Sequence, residues 1–167
     1  WPCVGVKQPH DVFLHQYAAD VARDVNGQWW VMADRTQTPS GAGYALENRQ
    51  IIARVFPELY RQLKVQSLND YFLILRQTIG RLAPTAGEAP LIVLLTAGRF
   101  NETYFEHIYL ARHLGIPLVE GYDLTVRGSM VYLKTLNGLK RVHAILRRLD
   151  DDYCDPLELR SDSALGV

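Results

Sequence analysis

Cysteine is nearly absent from these 167 residues: Cys3 and Cys154 are the only two. Two thiols so placed make neither a disulfide framework nor a CxxC metal knuckle. We read both as buried bystander thiols, in keeping with a reducing cytoplasm. Net charge is absent too, since 18 Lys and Arg balance 18 Asp and Glu. Proteins that neutralise nucleic-acid phosphates concentrate Lys and Arg, so no nucleic-acid partner is expected. No apolar run approaches the roughly 18–20 residues of a membrane-spanning helix, and no charged-then-apolar signal-peptide pattern is visible. No membrane partner is expected either. GxGxxG, the GK[ST] ending of a Walker A loop and HExxH are all missing, which leaves a dinucleotide fingerprint, a P-loop and a zincin helix without support. What is present is the composition of a soluble globular chain, 48% apolar and 22% charged. The length suits one good-sized domain or two small ones. The chain starts at Trp1 without a Met and stops in "SDSALGV". Both ends read as the middle of something, so a piece of a longer protein is expected.

Two blocks are expected, 1–82 and 91–167, joined by a linker at 83–90 whose small residues and prolines mark an exposed connection. The first block opens with aromatic and β-branched stretches at 12–23 and 28–35 around Asn26-Gly27, a hairpin signal of type I′. After the turn-rich loop TQTPSGAG, apolar residues from Ala45 to Leu59 recur at helical spacing, with a kink or restart at Pro57. Asn69 is placed to cap a further helix. The second block begins with LIVLLTAG at 91–98, an unbroken apolar run that reads as a buried parallel strand. A helix at about 103–114 follows, with Thr103 and Glu106 as a capping box and Gly115 as C-cap. Ile116–Glu120 completes a βαβ unit. Strands at 123–127, 130–135 and 139–147 flank two turn signals, and Asp155-Pro156 starts a last helix. The expected class is α/β, a β-hairpin with helices followed by a Rossmann-like domain with a mixed sheet.

Four places hold residues that could carry chemistry. Asp20 and Asp34 sit inside apolar strands of one hairpin, where aspartate is a poor strand former. A strict two-residue turn sends them to opposite faces; a three- or five-residue loop, or one bulge, brings them to one face. Convergent carboxylates suit Mg²⁺, a hard cation that prefers oxygen; otherwise one or both face solvent. The loop Thr36–Tyr44, with Ser40 and Gly41, follows a strand and precedes a helix, so its free N–H groups could bind an anion or simply make turns. Gly98, Arg99 and Asn101 follow the first strand of the βαβ unit, where open α/β sheets bind ligands. Arg147, Arg148 and Asp150 end a strand. Their arginines suit phosphate or carboxylate, and the alternative is a solvated loop whose charges pair locally. The five histidines lack metal-type spacing and read as structural or surface residues.

Three stretches, "ADRTQTPSGAGYALENR" at 33–49, "TAGRFNETYFEHIYLARHLGIPLVEGYDL" at 96–124 and "LRRLDDDYCDPLELRSDSALGV" at 146–167, together resemble the circularly permuted ATP-grasp family. The resemblance runs from about Val12 to Val167. It implies that residues 12–49 are the final part of an ATP-binding domain and 91–167 the Rossmann-like domain that ordinarily precedes it. Asp20 and Asp34 then correspond to Mg²⁺ ligands, although Thr36 stands where the family's third ligand is Asn; Asn48 and Gln37 are possible substitutes. Gly98 to Asn101 face the carboxylate or acyl-acceptor site, with Arg147, Arg148 and Asp150 near the same cleft. The Gly-rich lid and adenine-clamping lysines fall in a segment beyond Val167. The implied activity is that of an ATP-dependent carboxylate–amine ligase acting through an acyl phosphate, with ATP as co-substrate, Mg²⁺ as cofactor and a peptide-like or amine substrate. The 167 residues alone are expected to be inactive. From another class, a non-catalytic module that binds a partner or forms a homodimer through the hairpin edge is the alternative reading.

Overall fold

The computed structural model describes residues 4–155, 157 and 160–167. Cys3 and the expected helix start at Pro156 lie outside them. The chain divides into two compact units, with the division after Pro39. It does not fall at 83–90, because helices before that connection share a core with the strands after it.

The first unit is a ribbon of β1 (Ala18–Arg23) and β2 (Trp29–Arg35), antiparallel. Its strands are shorter than the sequence pattern suggests. The turn also differs from type I′, because Gly27 has a positive φ but Asn26 does not. Instead the Asp24 N–H donates to Gln28 O at 2.9 Å and the Gly27 N–H to Asp24 O at 3.0 Å, enclosing a three-residue loop. Asp24 stabilises it by accepting from the Asn26 and Gln28 N–H groups and from the Trp30 indole N–H.

The second unit is α/β. Helix α1 (Ala42–Val55) breaks at Phe56, and Pro57 opens α2 (Pro57–Gln62), since proline lacks the N–H a continuous helix needs. Helix α3 (Asn69–Leu82) starts at Asn69, not after it: Leu68 is the N-cap, and the Ser67 hydroxyl accepts the Asn69 N–H. Then come β3 (Ile92–Leu95), α4 (Tyr104–Leu114) and β4 (Leu118–Val119). This is the expected βαβ unit, with β3 parallel to β4 and Gly115 left-handed at the helix end. Strands β5 (Leu124–Arg127), β6 (Met130–Thr135) and β7 (Gly138–Arg141) form an antiparallel meander. The stretch 139–147 is not one strand. It breaks at Val142-His143, and β8 (Ala144–Arg147) leaves the meander to lie parallel to β3. The strands therefore form two sheets, parallel β4-β3-β8 and antiparallel β5-β6-β7, in place of one mixed sheet.

Alternation along β3 explains its unbroken apolar sequence. Ile92 and Leu94 pack with Leu46, Phe72, Leu75, Ile79, Leu110 and Leu114 of the helices. Val93 and Leu95 pack on the other face with Val119, Leu124, Val142 and Leu149, joined by Leu165. A strand covered on both faces has no polar position to offer. No described helix is long and apolar enough to cross a membrane.

Candidate functional site

Strand β3 is central in its sheet. The chain leaves it through α4 to β4 on one side, and β8 arrives on the other. The crevice at the carboxyl end of β3 is thus a topological switch point, the place where such sheets take ligands. Gly98, Arg99 and Asn101 are brought together there. Gly98 has φ +89° and is buried against β4's end, where a Cβ would stand 2.7 Å from Glu120 Oε2. Glu120 caps the turn at 121–123, and Asp123 Oδ2 accepts the Glu120 N–H at 2.9 Å in return. Arg99 is exposed, its guanidinium 4.9 Å from the centre of the Phe100 ring. Asn101 Oδ1 accepts from the Thr103 N–H at 2.9 Å and from the Thr103 hydroxyl at 2.7 Å.

Behind this loop lies a buried polar cluster on the helix face of β3. His107 is 1% exposed. Its Nδ1 is 2.7 Å from Thr96 Oγ1 and its Nε2 is 3.0 Å from Thr103 Oγ1. Thr96 Oγ1 also accepts the Gly98 N–H. Burial, helped by the positive Arg148 nearby, pushes the imidazole pKa down to about 4. His107 is therefore a satisfied core histidine.

Glu106 does not close the expected capping box with Thr103. Its carboxylate is fully buried and accepts from the Gly41 N–H at 2.8 and 3.0 Å and from the Gly43 N–H at 2.8 Å. The loop N–H groups at the start of α1, expected to attract an anion, hold an internal one. Ser40 beside them is exposed. Gly43 is required here, because a Cβ would approach Glu106 Cγ to 2.9 Å. Arg148 stands 3.9 Å from Glu106 Oε2, and both side chains are buried. Burial lowers the Arg148 pKa, while Glu106 and Tyr71 pull it the other way. Arg148 is thus the counter-charge of a buried carboxylate and does not line the crevice surface.

Arg147, one residue earlier, faces the other side of the sheet, with a guanidinium nitrogen 3.4 Å from Cys154 Sγ. Cys154 is free and half-buried. Asp150 is exposed and its carbonyl accepts the Tyr153 N–H at 3.2 Å. The structure therefore separates Arg147 from Arg148, as successive strand residues must be.

In the ribbon, Asp20 lies opposite Ala33 and Asp34 opposite Ala19. Neighbouring residues of a strand point to opposite faces, so the two carboxylates diverge. Each of two features anticipated from sequence would have joined them, and both are present: a three-residue loop and a register shift between Asp20 and Val21 that leaves Met32 unpaired. Each reverses the parity, and together they cancel. Asp20 pairs with Arg35 at 2.6 Å, and Asp34 accepts from the Tyr17 hydroxyl at 2.6 Å, which raises the Tyr17 pKa. The pair does not fit one shared Mg²⁺. Among the described residues, no group of three or more His, Cys, Asp or Glu is placed to hold a metal ion.

Sequence reasoning did not single out Glu120, gave Glu106 only a capping role and read His107 among the structural or surface histidines. Glu120 had a signal, a carboxylate ending the second strand of a βαβ unit. Glu106 had none, since its partners lie more than 60 residues away. A separate cavity of about 350 Å³ between α1 and α4 is lined by Glu47, Phe105, Tyr109 and Arg112 among others. Burial, with Glu47 beside it, raises the Tyr109 hydroxyl to about 12.

The profile described as "Circularly permuted ATP-grasp type 2" matches residues 1–167. The chain is 43% identical over 166 residues to the uncharacterized protein sll0335 of Synechocystis sp., covering 99% of this chain and 34% of that protein. It is 43% identical over 164 residues to the uncharacterized protein Rv2411c of Mycobacterium tuberculosis, covering 98% of this chain and 30% of that one. With Rv2567 of the same organism, also uncharacterized, identity is 42% over 165 residues, 98% of this chain and 18% of the relative. The chain thus spans between 18% and 34% of the length of these relatives. A profile that matches from the first residue to the last, on an α/β unit with its crevice at the end of β3, fixes the family: the chain belongs to the circularly permuted ATP-grasp type 2 proteins.

Proposed function

We propose that this chain is part of an ATP-dependent carboxylate–amine ligase, and that the crevice at the end of β3 takes the carboxyl group to be activated. The family match carries the ligase reading. The switch-point position of Gly98, Arg99 and Asn101 supports the placement. In such a reaction a carboxylate oxygen attacks the γ-phosphorus of ATP, ADP leaves, and an amine then displaces phosphate from the acyl phosphate. Arg99, exposed at the crevice, would hold carboxylate or phosphoryl oxygens. Arg147 and Asp150 serve from beside it, while Arg148 supports the loop at the start of α1 through Glu106. A peptide-like carboxylate or amine is the proposed substrate class, and a reducing, cytoplasmic setting is part of the reading, supported by the free Cys154.

ATP and Mg²⁺ belong to this chemistry, the ion neutralising phosphate charge. Because Asp20 and Asp34 lie on separate faces of the ribbon, one of them is proposed to contribute to the Mg-ATP site, which the rest of the protein completes. The 167 residues alone are then inactive. Calorimetric titration of the intact protein with Mg-ATP, beside Asp20→Ala and Asp34→Ala, tests this. The expected result is a loss of binding in one variant and near-normal binding in the other. Equal loss in both contradicts the separate faces, and no binding by the unmodified protein contradicts the ligase reading.

One observation favours a second reading, a binding or dimerisation module. The diverging aspartates leave the ribbon without a joint site, and Val21, Trp29, Trp30, Val31 and Met32 are exposed on it. Sedimentation of the intact protein and of a Trp30→Ser variant separates the two. A dimer lost in the variant supports the module.

A further inference from the structure

We infer that His107 is a positioning residue: as the neutral, Nε2-protonated tautomer it locks the β3–α4 loop so that Asn101 turns its NH₂ group outward, and this gives the crevice a hydrogen-bond donor for carboxyl or phosphoryl oxygens. The inference rests on the crevice reading above and deepens it.

The proton positions follow from the partners in one chain of deductions. The Thr103 backbone N–H can only donate, and it meets the amide of Asn101 at Oδ1. The amide orientation is thereby set. The Thr103 hydroxyl, 2.7 Å from that same oxygen, must also donate to it, because a carbonyl oxygen has no proton to give. Thr103 Oγ1 then has only lone pairs left for His107, so Nε2, at 3.0 Å, carries the proton and donates. The ring is buried beside the cation Arg148, which leaves Nδ1 bare. Nδ1 accepts from the Thr96 hydroxyl at 2.7 Å, and Thr96 Oγ1 in turn accepts the Gly98 N–H at 3.2 Å. Every group from Gly98 through Thr96, His107 and Thr103 to Asn101 is used, and none can be reversed alone.

The consequence is a loop of fixed polarity. The Gly98 N–H and Asn101 Oδ1 are turned inward at its two ends. The NH₂ of Asn101 is left on the opposite edge of the amide, with no hydrogen bond to any described residue. Arg99 between them makes no ion pair among the described residues. A loop that hides its acceptor and shows a donor beside a cation suits an anionic oxygen. The opposite tautomer would either leave Thr103 Oγ1 and Nε2 as two facing acceptors or turn the Thr103 hydroxyl to Nε2 and release it from Asn101.

The test uses the intact protein labelled with ¹⁵N at histidine and asparagine. Long-range ¹H–¹⁵N correlation at neutral pH is expected to show His107 with Nε2 protonated and Nδ1 bare. Titration with inorganic phosphate is expected to shift the Asn101 side-chain NH₂ signals. Thr103→Val should weaken that binding about fivefold or more, the worth of about one hydrogen bond, and Thr103→Ser should restore it to within about twofold. An Nδ1-protonated or doubly protonated ring overturns the inference even if Thr103→Val does not fold. So does a folded Thr103→Val protein that binds phosphate like the unmodified one; in that case the crevice reading stands. Absence of any phosphate effect in the unmodified protein overturns the crevice reading itself, and this inference with it.

Discussion

Glu106 shows how much one side chain can fix. Its carboxylate ties the start of α1 to α4 through three N–H contacts and balances a buried arginine. Glu106→Gln keeps the shape but removes the negative charge 3.9 Å from the buried Arg148 and replaces one acceptor oxygen by a donor facing an N–H. Breaking a buried pair this way costs about 3–5 kcal/mol. Hydrogen exchange at the Leu110 and Ala111 amides of the intact protein should rise accordingly; unchanged exchange would show that the pair contributes little. His107 adds a pH dependence to the same helix. Its folded pKa near 4 lies below the roughly 6.5 of an unfolded histidine, so the unfolded chain takes up the proton first. This contribution is therefore whole above pH ~6.5 and is lost as the pH falls toward 4, by about 3 kcal/mol in all. Protection of Leu110 should fall over that window in the unmodified protein and fall less in His107→Gln.

At the scale of elements, the ribbon depends on Asp24, whose carboxylate accepts three hydrogen bonds at the turn. Asp24→Ala should speed exchange of the Gln28 and Asn26 amides while leaving α4 untouched; unchanged rates would mean that Gly27 alone holds the loop. The register has its own check. Ala19→Cys with Asp34→Cys, directly opposed, should cross-link on oxidation, whereas Asp20→Cys with Asp34→Cys, on opposite faces, should not. The same elements show what was legible in the sequence. The break at Pro57, the left-handed Gly115 and the β3–α4–β4 unit rest on local chemistry and could be read directly. The position of Asp20 relative to Asp34 could not, because it depends on two parity reversals, and a bulge at Met32 has no signal in VMADR. The break between β7 and β8 was hidden for another reason. Residues 139–147 hold no Gly, Pro, Asn, Asp or Ser to mark a break, and only pairing with β3, some 50 residues earlier, divides them. Of the site, the crevice loop was legible as a strand end in a βαβ unit. Its support was not, since Glu106 and His107 look like ordinary residues of a helix.

For the unit as a whole, the last residues are a packed part and not a trailing end. The Leu165 N–H donates to Tyr153 O at 2.8 Å, and Leu165 joins the cluster around Val93 and Leu95. Two glycines make the fit possible. A Cβ on Gly121 would stand 2.1 Å from Gly166 O, and one on Gly166 would stand 2.2 Å from Cys154 O. Both obstacles are backbone, so no side chain can swing away. The segment that includes Gly166 is thus held between the turn after β4 and the turn after β8, both near the carboxyl ends of their strands. Gly121→Ala should displace it at a cost of about 1–3 kcal/mol, the range for overpacking. Gly166→Ala should do the same. Because each substitution displaces the same segment, the double variant should lose little more than either single one, in contrast to the simple addition expected of independent sites. Thermal unfolding of the four proteins measures this directly. Additive losses would show that the two glycines serve separate contacts, and that the tail does not lock the turn beside Glu120.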